Sequence, residues 1–165
     1  MSENVENDIP YAQESHVSTQ IRAIYVRNFS CMKETLRQFN ITPVQWRVLS
    51  NLQEFDGQNV NALAERSYTN RANLSRDVAL LEKMGLVERH REDRDQRNVL
   101  VFLTKAGQKK FDQVKPAVIE EMDFELEGFS KAEIETLMGL LVRMKLNSHR
   151  PHPPVIHTLK ETMHA

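Results

Sequence analysis

The chain is poor in the residues that build several common kinds of protein. It has one cysteine, Cys31, in 165 residues, which excludes an intramolecular disulfide framework and leaves a single buried or reactive thiol. Its five glycines are scattered. They form no glycine-rich phosphate loop and no nucleophile elbow around a serine, so no nucleotide-dependent or acyl-transfer enzyme is indicated. No apolar run reaches membrane-spanning length. The opening MSENVENDIPYAQES lacks the basic-then-apolar order of a signal peptide, and a cytoplasmic location without membrane contact is expected. A strong charge of either sign is also missing, because the formal net charge is −1. A polyanionic partner would therefore have to be met by a local patch rather than by bulk charge.

Apolar residues at helical spacing dominate what remains. Residues 1–14 are acidic and aperiodic and are expected to form a disordered arm. Val17, Ile21, Ile24, Tyr25, Met32, Leu36 and Phe39 then recur at three- and four-residue steps, predicting a long amphipathic helix that stops at Asn40. Thr42-Pro43 supplies an N-cap and a first-turn proline for a second helix carrying Trp46, Leu49 and Leu52, which ends before Asp56-Gly57.

Two short helices follow almost without a gap. NVNALAERSY turns Leu63 and Ala64 inward. TNRANLSRDVALLEKMG offers Thr69 and Asn70 as caps, puts Leu74, Val78 and Leu81 on one face, and closes on Gly85. Two helices joined by so short a turn predict a helix-turn-helix. LVERHRE and RNVLVFL read as strands flanking DRDQ, so a β-hairpin follows the helix pair in the order of a winged helix. Thr104 can cap a further helix over 105–128, with Phe111, Val114, Val118, Ile119, Met122 and Leu126 in register and a kink or break at Pro116. Ser130 and Glu133 form a capping-box pattern for a last helix through Ile134, Leu137, Leu141 and Met144, and residues 149–165 read as a flexible His- and Pro-rich tail. The expected fold is mainly α, a winged helix-turn-helix over 42–104, with helices from both chain ends (15–40 and 105–148) forming a dimerisation region.

A helix held this way can enter the major groove of double-stranded DNA. With its apolar residues turned to the core, Asn70, Arg71, Asn73, Ser75 and Arg76 crowd the remaining faces of its first turns and suit bases and phosphates. The hairpin tip can reach the neighbouring minor groove, which attracts arginine where it is narrow. Arg94 and Arg97 are the candidates there, with Asp95 placed to hold Arg97 extended by a charge-assisted bond. From Arg71 to Arg97 the bases Arg71, Arg76, Lys83, Arg89, Arg91, Arg94 and Arg97 exceed the acids Asp77, Glu82, Glu88, Glu92, Asp93 and Asp95 by one. Binding must then rest on side-chain geometry, with a visible salt dependence.

The stretch NLSRDVALLEKMGLVERHREDRDQRNVLVFLTKAG resembles the MarR family of bacterial transcription regulators. The shared pattern is a helix closing on Leu-Glu-x-x-Gly-Leu-Val-x-Arg, an Asp-x-Arg wing, and Val-Leu-Val-x-Leu-Thr-x-x-Gly, and the helix order fits over roughly 16–147. The resemblance implies a homodimer built from the terminal helices, bound to a pseudo-palindromic operator with one winged helix in each half-site. The apolar excess on those helices independently calls for a paired interface. By motif, Asp95 and Arg97 match the family's wing acid and minor-groove arginine, and Asn73, Ser75 and Arg76 fall on its reading helix. Many members carry a second wing arginine where this chain has Gln96, which weakens the wing or shifts its role to Arg94.

The resemblance further implies a repressor released by a small aromatic acid or phenolic effector. Tyr25, Phe29, Met32 and Trp46 are candidate pocket walls, and His16 or Arg22 candidate partners for a carboxylate. Two alternatives compete: a winged helix used for protein contact, and a thiol-based sensor. Peroxide-sensing relatives carry a reactive cysteine in the first helix, but Cys31 lies about two turns out of that register, so a structural thiol is expected. No metal or cofactor is expected, because His149, His152, His157 and His164 are irregularly spaced. No enzymatic role is expected either: Glu120, Glu121, Asp123, Glu125 and Glu127 read as a solvated helix face rather than paired catalytic carboxylates.

Overall fold

A computed structural model describes residues 16–91 and 99–150. Six helices and three short strands follow in the order α1 (Val17–Arg37), α2 (Pro43–Glu54), β1 (Gln58–Asn59), α3 (Val60–Arg66), α4 (Arg71–Lys83), β2 (Val87–Arg91), β3 (Val99–Leu103), α5 (Lys105–Glu125) and α6 (Lys131–Ser148). They divide into two compact units, one ending at Glu125 and the other starting at Leu126.

Local chemistry places the boundaries of the first unit. Asn40, at φ 55°, turns the chain out of α1, and asparagine tolerates that left-handed conformation better than most residues. Thr42 and Gln45 form a complete capping box at the start of α2, with Pro43 where its missing N–H costs nothing. Gly85 closes α4 as a Schellman turn. Its φ is 71°, its N–H donates to the Glu82 carbonyl, and the Leu86 N–H donates to the Leu81 carbonyl.

The hairpin register is fixed by Val87 opposite Leu103 and Arg91 opposite Val99. β3 lies in the centre of the sheet because β1 pairs along its other edge, Gln58 opposite Val101. β1 is absent from the sequence reading, since two residues carry no periodicity. Thr104 ties the sheet to the next helix: its hydroxyl donates to the Gly85 carbonyl at 2.7 Å and accepts from the Gly107 N–H at 3.0 Å. Gly107 is required there, because a Cβ would come within 2.0 Å of the Leu86 carbonyl oxygen.

One core holds this unit together. Leu49 and Leu52 of α2, Leu63 of α3, Leu74, Val78 and Leu81 of α4, Val101 of β3 and Val114 of α5 are buried together, with Leu36 from the end of α1. α5 removes one of the two expectations at Pro116, the break: the helix continues from Lys105 to Glu125 with the proline inside it. Pro116 removes one N–H from the ladder on an exposed face, where water can take the carbonyl it leaves. Val114 and Val118 on either side are buried and anchor both halves of the helix.

The second unit is simpler. Ser130 and Glu133 complete the anticipated capping box for α6, which buries none of its residues. His149 caps its far end, while His152, His157 and His164 lie outside the described residues. No described helix is long and apolar enough to cross a membrane. Among the described residues no group of three or more His, Cys, Asp or Glu side chains could hold a metal ion.

Candidate nucleic-acid interface

The interface starts from α4. Leu74, Val78 and Leu81 take one side of the helix into the core, and helical spacing then directs Arg76 straight outward. Arg71 and Ser75 fall on the flank beside the strands, and Asn73 on the opposite flank. All four are exposed. Asn70 is the N-cap: its side-chain oxygen accepts from the Asn73 N–H at 2.8 Å, so it positions the helix whatever else it touches.

The acids near this surface are neutralised or turned aside. Asp77 lies on the flank facing α2, where the Thr42 hydroxyl is 3.5 Å from its carboxylate. Burial pushes its carboxyl above the usual range, partly countered by bonds from Thr42 and Gln45. Glu82 accepts Arg89 Nε at 2.9 Å and also its Nη2. Those bonds hold the Glu82 carboxyl below its ordinary pKa and raise that of the guanidinium. The exposed side of α4 consequently presents Arg71, Arg76 and Lys83, while Asp77 is turned to the flank facing α2 and Glu82 is paired with Arg89.

Arg94, Asp95, Gln96 and Arg97 lie outside the described residues, which stop at Arg91 on one strand and resume at Val99 on the other. A cleft of about 200 Å³ opens where the strands meet α4, lined by Asn59, Asn61, Arg71, Ser75, Arg89 and Val99. The sequence reading used Asn61 and Arg89 only as parts of their helix and motif. Tyr68 also escaped notice: it occupies the turn before α4 at φ 50° and is 72% exposed. A bulky residue in that conformation is a rarity no periodicity reveals.

The six candidate effector residues are dispersed. His16 caps α1 by accepting from the Ser18 N–H. Arg22, Tyr25 and Phe29 lie along an exposed stretch of the same helix, with the two rings 6.0 Å apart. Met32 and Trp46 instead pack against the core, where the indole stacks on Phe111 at 5.0 Å. The larger cavity beside α1 is lined by the neighbouring stripe, including Arg27, Cys31 and Thr35, and by Glu120, Glu121 and Phe124 of α5, and by none of those six. Cys31 is half-buried there.

A helix-turn-helix whose second helix exposes arginines, followed by a hairpin stem, is a winged helix, and comparison with known proteins fixes which kind. The model for the MarR family matches residues 39–98. The HTH-type transcriptional regulator FarR of Neisseria gonorrhoeae is 31% identical over 134 residues, covering 80% of this chain and 92% of that protein. The chain belongs to the MarR family. A second relative is the homoprotocatechuate degradative operon repressor of Escherichia coli, 30% identical over 129 residues, with 76% of this chain and 86% of that one covered. The crystal structure of a MarR family transcriptional regulator from Silicibacter pomeroyi superimposes with a TM-score of 0.74 at 25% identity, covering 84% of this chain and 93% of that one. This MarR protein is therefore a transcriptional regulator of the winged-helix, DNA-binding type, and its relatives are regulators rather than enzymes.

Proposed function

We propose that the protein is a dimeric cytoplasmic repressor that binds a pseudo-palindromic duplex operator and releases it when a small aromatic acid or phenolic compound binds. The observation that carries this reading is the exposed side of α4. Arg71, Asn73, Ser75 and Arg76 stand on a helix fixed by its cap and core, while Asp77 and Glu82 are tied to Thr42 and Arg89. Residues 42–104 act as the DNA-binding lobe, with Arg97 and Arg94 reaching the minor groove and Asp95 orienting Arg97. Helices 15–40 and 105–148 supply the dimer, a role supported by the apolar side chains they expose, among them Ile24, Val26, Met122, Leu140 and Leu146.

The effector reading draws on the relative whose name makes it the repressor of a degradative operon for homoprotocatechuate. The exposed stretch of α1 with Arg22, Tyr25 and Phe29 provides a cation and two rings for an aromatic acid, while Met32 and Trp46, packed against the core, form a separate apolar wall.

The test is fluorescence anisotropy with the duplex upstream of the protein's own gene, at two salt concentrations, with and without a panel of aromatic acids. Saturable binding well above that to scrambled DNA, lost on adding one acid, is the expected result. Arg97→Ala should weaken that binding and flatten its salt slope while leaving the dimer intact. Binding equal to scrambled DNA at every operator candidate would move the winged helix to a protein-contact role. If Cys31→Ser alone abolished a peroxide-triggered release, the sensor would be the thiol instead.

A further inference from the structure

The cleft between α4 and the hairpin stem is lined mainly by polar side chains and does not suit an apolar ligand. Its volume is about 200 Å³, and Asn59, Asn61, Arg71, Ser75 and Arg89 line it together with Val60 and Val99. Asn59 is engaged as the cap of α3, accepting from the Ala62 N–H at 2.9 Å. Arg71 and Ser75 are one helical turn apart on the wing-side flank of α4, and both are exposed. Among the described residues Arg71 has no ion-pair partner. Arg89 rises from β2 and is held by Glu82 of α4 through Nε and Nη2, which leaves its Nη1 edge outside that pair.

Resting on the reading of α4 as the major-groove helix and the wing as the minor-groove element, topology decides what must cross this cleft. The two grooves of a duplex are separated by one sugar-phosphate strand. A helix in one groove and a hairpin tip in the next must straddle that strand, so it passes over the junction of helix and stem. We infer that the cleft is a binding site for one backbone phosphate in each half-site, with Arg89 and Arg71 as its cationic contacts, Ser75 and Asn61 as neutral donors, and Glu82 as the positioning residue for Arg89.

Glu82 bridges helix and strand, so it fixes where the guanidinium lies relative to both reading elements. The phosphate then sets the register of helix and wing together, as backbone contacts do in protein–DNA interfaces, without reading any base. Two guanidiniums, one already compensated by Glu82, suit a singly charged phosphodiester.

The test is a scan of single methylphosphonates through one operator half-site, with the wild-type chain and Arg89→Gln. One position is expected to cost the wild type about tenfold in affinity, and that cost should be several-fold smaller in Arg89→Gln, where one of the two cationic contacts to that phosphate is already lost and Arg71 keeps the other. Arg89→Gln should also reduce the slope of log K against log salt by about 0.9 per half-site. Asn61→Asp, at an exposed position, is the companion variant should Arg89→Gln unfold. It should weaken operator binding about fivefold by placing an acid in the cleft. Losses for Arg89→Gln that simply add to those of every methylphosphonate would overturn the assignment, as would unchanged affinity and slope in either variant. A wild type that binds none of the duplexes overturns the operator reading itself, an outcome visible before any variant is made.

Discussion

Leu74 and Leu140 are both leucines in amphipathic helices, yet Leu74 exposes none of its surface and Leu140 exposes 50%. The first belongs to α4, whose apolar side is covered by neighbours within the chain. The second belongs to α6, an 18-residue helix with no buried residue, whose Met138, Leu140, Leu141, Val142, Met144 and Leu146 are exposed. α1 shares this character: of its 21 residues only Leu36 is buried. The winged lobe is thus complete as one chain, whereas the terminal helices carry more apolar surface than a single chain covers. That difference supports the proposed division of labour, in which the winged lobe reads DNA and the terminal helices assemble copies.

The comparison can be broken most forcefully at its buried side. Leu74→Ala leaves a void in a core with no exposed surface at that point, and should lower unfolding free energy by about 3–5 kcal/mol in urea titrations. A loss below about 1 kcal/mol would mean that the lobe's core is loose and that the contrast with α6 is false. On the exposed side, Leu140→Glu combined with Leu146→Glu should leave the secondary structure of the lobe intact. Sedimentation velocity should then report a monomer, and operator affinity should fall about a hundredfold because two half-sites can no longer be held together. A double variant that remains dimeric would reassign the apolar face of α6.

A third effect sharpens the account of α4 itself. Asn70 was expected both as a cap and as a DNA contact, and its oxygen is bonded to the Asn73 N–H. Asn70→Ala should cost about 1 kcal/mol of stability and weaken DNA binding, whereas Asn70→Ser should restore the stability. DNA binding that recovers in step with stability assigns Asn70 to capping alone. Binding that stays weak in Asn70→Ser would instead show that the amide touches DNA.

How much of this was readable in the sequence follows the range of the interaction involved. The capping boxes at Thr42 and Ser130 and the closing Gly85 are contacts between residues three to five apart, so their patterns stand in the sequence and the structure carries them. The core of α4 is equally plain, because helical periodicity alone assigns Leu74, Val78 and Leu81 to one side. β1 was invisible because its only signal is the pairing of Gln58 with Val101, distant in the chain. Trp46 was legible as a large apolar residue, but its partner Phe111 lies on another helix, and that stacking draws the indole into the core and away from Tyr25 and Phe29. Of the kink or break expected at Pro116 the break did not occur, because that expectation weighs the lost hydrogen bond and not the buried Val114 and Val118 that flank the proline. The bond between Glu82 and Arg89 spans a helix end, a turn and a strand start, and only the fold shows that the turn brings them together.

The smallest effect separates two acids on one helix. Arg89 holds the Glu82 carboxyl below its ordinary pKa, so the folded chain binds that proton less readily than the unfolded one. The stability contributed is present above the unfolded carboxylate pKa and is lost as pH falls through the lowered folded value. Because the side chains are 38% and 36% exposed, solvent screens the pair, and Glu82→Gln should cost only about 0.5 kcal/mol at neutral pH. That cost should shrink to nothing in acid. Asp77 has the opposite sign: burial raises its carboxyl, so ionisation there subtracts stability at neutral pH and protonation relieves it. Asp77→Asn should therefore be neutral or slightly stabilising at neutral pH, with its advantage fading as the pH falls. Urea titrations of both variants from neutral to acid pH check the pair. Parallel pH profiles would contradict the assignment of one acid to an ion pair with the wing stem and the other to the packed flank of the reading helix.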